Sequence, residues 1–73
     1  MSKLKALSGM AAGRLLAQHG FVAVRQRGEH IVLQRQVEGT TVTVPIPNQA
    51  ELKPSMLLSV IRQSGLPREL FEA

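Results

Sequence analysis

Apolar positions along the chain switch from a helical period to an alternating one and back, and the switches divide it into elements. Ala11, Ala12, Leu15 and Leu16 form a stripe at helical spacing. Ser8 stands before the stripe as an N-cap whose hydroxyl accepts from a free amide of the first turn, and Leu7 is placed to staple against Ala12. Gly20 offers a left-handed stop after Gln18 and His19. The spacing predicts a first helix from Gly9 to His19.

Phe21–Gln26 reads as a strand, because Val22 and Val24 are β-branched and favour an extended backbone. Arg27-Gly28-Glu29 is a tight turn in which Gly28 takes the backbone angles that side chains disfavour. His30–Gln36 is a second strand, Val37-Glu38-Gly39 a second turn, and Thr40–Val44 a third strand whose ladder Pro45 ends. Turns this short make the three strands an antiparallel meander. Pro45-Ile46-Pro47-Asn48 excludes regular helix and carries the chain back as a loop. Pro54 opens a second helix with Met56, Leu57, Val60 and Ile61 as its apolar stripe, Gly65 caps it, and Pro67 opens a last turn through Phe71. The expected fold is α+β: α-β-β-β-α, a three-stranded antiparallel sheet with two helices on one face, in a single domain of residues 1–73.

Strand alternation then assigns faces. Val22 and Val24, Ile31 and Leu33, and Val42 and Val44 are expected beneath the helices. The open face is expected to carry Phe21, Ala23 and Arg25, then His30, Val32 and Gln34, then Thr41 and Thr43. Arg25 and His30 would project together near the first turn. A slip of one residue would reverse these assignments.

Composition narrows the classes. A chain of 73 residues has room for a thin core only. Apolar residues make up 44% of it, which suits a folded domain rather than a disordered one. Cysteine is absent, so neither a disulfide nor a thiolate zinc site is possible. Lys3 and Lys5 are followed by no continuous apolar run, so neither a signal peptide nor a membrane span is expected, and a cytoplasmic address fits. The net charge of +4 and a pI near 10.8 favour a polyanionic partner or an acidic protein surface. Such a charge also serves solubility alone.

The densest chemistry lies in Arg25-Gln26-Arg27-Gly28-Glu29-His30. A glycine turn exposes backbone amides to phosphate oxygens, and Arg25 and Arg27 add charge that positions phosphates. Histidine is the side chain suited to moving a proton near neutral pH, which RNA cleavage through the ribose 2′-hydroxyl requires. His30 at a strand edge also reads as an ordinary solvated residue, and Glu29 beside it can pair with Arg27, retune His30 or repel phosphate. His19, at a helix C-terminus, has a sufficient structural cause in the helix dipole. Lys53, Arg62 and Arg35 are secondary candidates for RNA-backbone contact, with a solvated surface as the plain alternative. Met10 and Met56 read as core filler. Zinc-ligand spacing, an aspartate and a tight carboxylate cluster are all missing, so no metal site or cofactor is expected. No phosphate-binding loop, dinucleotide fingerprint or serine-nucleophile elbow is present.

These residues carry a family resemblance. Ser8-Gly9, Gly20-Phe21, the block Val24–His30, Thr41-Val42-Thr43-Val44-Pro45, Glu51-Leu52-Lys53, Ile61–Leu66 and Glu69-Leu70-Phe71 resemble the HicA (YcfA-like) mRNA interferase family. The resemblance implies a double-stranded-RNA-binding-domain-like fold and a toxin of a type II toxin–antitoxin pair that cleaves mRNA without a metal. It also implies a HicB-like antitoxin that covers the active face and links the pair to operator DNA. The essential family histidine falls on His30. The chain departs from the family pattern at Glu29, where serine is usual, at Pro47, where a histidine is frequent, and around Pro54-Ser55, where a glycine is usual. A noncatalytic RNA-binding or partner-binding domain of the same fold, and a purely structural subunit, are the alternatives those departures leave.

Overall fold

The computed structural model describes residues 3–73. Its elements are α1 (Gly9–Ala17), β1 (Val22–Arg27), β2 (His30–Val37), β3 (Thr40–Pro47), α2 (Pro54–Ser64) and a closing 3₁₀ turn, Arg68–Phe71. The sheet is antiparallel in the order β1-β2-β3. This is the expected α-β-β-β-α arrangement. Ser8 caps α1 as expected, its Oγ accepting from the Ala11 amide at 3.0 Å. α1 ends two residues earlier than expected, and Gly20 makes the left-handed turn with φ 93°.

Each hairpin loop has two residues, and the backbone angles explain the sequence of each. Gly28 takes φ 58° while Glu29 stays at negative φ, the pattern of a type II′ turn with glycine first. Glu38 and Gly39 both have positive φ, 38° and 80°, the pattern of a type I′ turn. Glu38 is therefore held in a region that suits asparagine or glycine better.

β1 does not alternate as expected. Ala23 pairs with Leu33, but Arg25 pairs with Val32, so Val24 is an extra residue with no opposite number. This β-bulge reverses the faces midway along the strand. Before it, Phe21 is buried at 3% exposure and Ala23 pairs with buried Leu33, so both belong to the helix side. Val22 and Val24, expected in the core, are 63% and 45% exposed. After the bulge, Arg25 and Arg27 return to the open face.

The third strand also runs further than expected, through Pro45 to Pro47. The Asn48 amide donates to the Glu29 carbonyl, so the pairs His30–Pro47 and Val32–Pro45 fall at the non-hydrogen-bonded positions of the ladder. Both proline nitrogens then point to the free edge, where no ladder donor is lost. Proline ends a strand only where its missing amide faces a neighbour.

The core lies between the sheet's helix face and the two helices. Leu33, Val44 and Ile46 meet Ala12 and Leu16 of α1, Leu57, Val60 and Ile61 of α2, and the fully buried Phe71. The chain ends are tied together beside it: Leu4 bridges Glu72, and the Lys5 amide donates to the Phe71 carbonyl at 2.7 Å. Met10 and Met56, expected as core filler, are 54% and 38% exposed. No helix among the described residues is long and apolar enough to cross a membrane.

Gly9 starts α1 directly against the end of β3, and a Cβ there would overlap the Pro47 carbonyl oxygen. Gly9→Ala should therefore cost about 1–3 kcal/mol of stability, as overpacking does. Glu38→Asn should add about 0.5–1 kcal/mol by relieving the positive φ. Urea unfolding of both variants measures these opposite shifts, and an unchanged midpoint in either would contradict the corresponding local geometry.

Candidate nucleic-acid interface

The sheet register turns the scattered residues of the first hairpin into an ordered surface. Arg27, His30 and Pro47 form one row across the open face, Arg25, Val32 and Pro45 the next, and Val22, Gln34 and Thr43 a third. The far end is held by polar pairs, with the Gln34 amide on Thr43 Oγ1 at 3.4 Å and the Gln36 amide on Thr41 Oγ1 at 3.1 Å. The near end is different: Arg25, Arg27 and His30 are exposed. None of the three has a side-chain hydrogen bond or ion pair among the described residues, whose single ion pair is Arg68–Glu72.

Glu29, next to His30 in the turn, is not ion-paired with Arg27. Its backbone carbonyl is occupied by Asn48, which ties the first hairpin turn to the end of β3. That bond and the II′ turn at Gly28 fix where His30 leaves the turn.

His30 opens onto a pocket of about 280 Å³ between the end of the sheet and α2. Pro45 and Pro47 line it from β3, and Met56, Ser59 and Gln63 from α2. The three α2 residues recur at helical spacing on a face next to the buried one. The sequence pattern puts Met56 in the core stripe and does not single out Ser59 or Gln63. The signal that marks them is a second, mixed stripe beside the apolar one.

Lys53 and Arg62 do not join this pocket. Lys53 is the N-cap residue of α2 and its carbonyl accepts from Leu57, while Arg62 is exposed in the last turn. Arg35 is on the opposite, helix side of the sheet and is spent on structure. Its guanidinium lies 5.2 Å from the Phe21 ring centroid and donates to the His19 carbonyl at 3.2 Å. That accounts for His19 as well: its backbone, half-buried at the end of α1, receives Arg35. Among the described residues, no three His, Asp or Glu side chains gather into a metal-binding group.

The site thus combines two arginines unpaired among the described residues, an exposed imidazole and a glycine turn at one end of the sheet, a set of groups able to hold an anion. No curated protein matches the chain in a sequence comparison. Residues 13–66, most of the chain and all of the sheet, match the family described as the HicA toxin of bacterial toxin–antitoxin. With its α-β-β-β-α fold, the chain belongs to the HicA toxin family of bacterial toxin–antitoxin systems.

Proposed function

We propose that this toxin is an mRNA-cleaving endoribonuclease that works through His30 without a metal ion. The observation that carries the reading is the row Arg27–His30, with Arg25 in the next row, on an exposed face where no carboxylate among the described residues pairs with the arginines. His30 takes the proton of a ribose 2′-hydroxyl, or in the other direction gives a proton to the leaving oxygen. In the first role the O2′–P bond forms as the P–O5′ bond breaks, leaving a 2′,3′-cyclic phosphate and a 5′-hydroxyl. Arg25 and Arg27 hold the phosphate oxygens as charge builds on them, and Gly28 keeps the turn close enough for backbone contact. Lys53 and Arg62 extend the backbone path on α2, away from the reacting bond.

Pro47 sits opposite His30 at a close, non-hydrogen-bonded pair. That position carries no titratable group, so a single imidazole serves one of the two proton transfers and solvent completes the other. The reaction is accordingly expected to be slower than with two imidazoles. The partner expected of a toxin in such a pair is a HicB-like antitoxin covering this same face, with operator DNA reached through the antitoxin and a cytoplasmic site of action.

The purified chain should cleave RNA in excess chelator, and His30→Ala should lower the rate by about 10²–10⁴-fold. Equal rates for the two proteins would remove His30 from the mechanism, and activity that needs an added metal would remove the mechanism. The noncatalytic alternative predicts saturable RNA binding with no cyclic-phosphate product. Arg25 and Arg27 are tested separately. For single-stranded RNA, replacing both by alanine should reduce the slope of log affinity against log salt by about 1.4, or about 0.7 for each phosphate no longer neutralised. An unchanged slope would place the RNA backbone elsewhere, and an affinity insensitive to salt would favour a purely structural subunit.

A further inference from the structure

We infer that the pocket beside His30 is a subsite for one unstacked nucleobase of the RNA, hydrogen-bonded by Gln63; this rests on the reading of His30 as the cleavage residue. Single-stranded RNA is recognised by bases splayed out onto flat side chains and hydrogen-bonded along their edges. Aromatic side chains usually supply the platform, but here Phe21 and Phe71 are the chain's aromatics and both are buried, at 3% and 0% exposure. The open face must therefore support a base in another way. Its flat surfaces near the reacting position are the His30 ring and the exposed pyrrolidine ring of Pro45, with the buried Pro47 closing the wall of the pocket behind them. Met56, 38% exposed on the facing helix, supplies a soft apolar counterpart.

The polar groups of the pocket are placed to read an edge. Ser59 and Gln63 lie one helical turn apart on α2, and neither side chain makes a hydrogen bond within the described residues. An amide offers one donor and one acceptor side by side, and turned one way or the other it matches the Watson–Crick edge of adenine and cytosine or that of guanine and uracil. Gln63 is exposed and makes no hydrogen bond within the described residues that would fix its orientation, so its contact adds affinity for a base without choosing which. The serine hydroxyl serves as either donor or acceptor and adds affinity without choosing a base. The arginines occupy the other side of the His30 row, so the phosphate path and the base pocket flank the imidazole from opposite sides.

The test uses short RNA oligonucleotides made uncleavable by a 2′-O-methyl group at the scissile ribose, identical except for adenine, uracil or an abasic ribose at the next position. The wild-type chain should bind the two forms that carry a base about tenfold tighter than the abasic form. Gln63→Ala should shrink that difference while leaving the salt slope unchanged, and Ser59→Ala should weaken only the two forms that carry a base. Gln63 is exposed, so folding is not at stake, and thermal melting of the variant confirms it. Equal wild-type affinity for the three oligonucleotides, or a gain from the base that survives Gln63→Ala undiminished, would overturn the subsite. Cleavage of unmodified RNA, run in parallel, separates this from the underlying reading. His30-dependent cleavage that is no slower beside an abasic ribose removes the subsite alone, whereas loss of His30 dependence removes the reading of His30 on which it rests.

Discussion

One extra residue in β1 decides which way the charged hairpin faces. Phe21 and Ala23 are drawn to the core side, and strict alternation from them would send Arg25 and Arg27 there as well. The bulge at Val24 absorbs one residue without a partner and hands both arginines to the face of His30. A thin domain has little apolar area to spare. Burying Phe21 while exposing two arginines of the strand that follows it needs such a reversal. The exposed Val24 is its local cost, while Val22 is exposed simply by alternating with Phe21 and Ala23.

Much of the fold is legible in the sequence because each signal acts locally. Ser8 as a cap, Gly28 and Gly39 as turn formers, Pro54 at the start of α2 and Gly65 at its end behave as their backbone preferences dictate. The departures share one origin, in that they depend on what lies across the sheet. Nothing in the local sequence separates a bulged strand from an alternating one. Arg25 does lie on the open face, yet the alternation that predicts it there is one the strand does not keep. Pro45 reads as a strand end because the edge position of β3, with its nitrogens turned outward, is a property of the whole sheet.

The same distinction runs through the candidate site. The hairpin block containing Arg25, Arg27, Gly28 and His30 can be found from residue type alone, since a glycine turn flanked by arginines and an imidazole is chemically dense. Arg35 has the same residue type and a different fate, because its strand position turns it inward onto Phe21 and the end of α1. Met56, Ser59 and Gln63 are distant in sequence from His30 and meet it only when α2 lies along β3. Charge marks where an anion can be held; the packing of α2 determines what else can be recognised there.

Every functional role proposed for this toxin requires RNA to lie on the sheet face carrying Arg25, Arg27 and His30. The chain's two histidines provide an internal control, because His19 lies two residues past the end of α1 and lines a cleft with Val22 and Val24 at the other end of the sheet from His30. Ring resonances of both histidines can be followed by NMR as an uncleavable RNA is added. The His30 ring is expected to shift progressively to saturation while the His19 ring stays in place. Movement of the His19 ring with His30 unchanged would contradict that placement of the RNA.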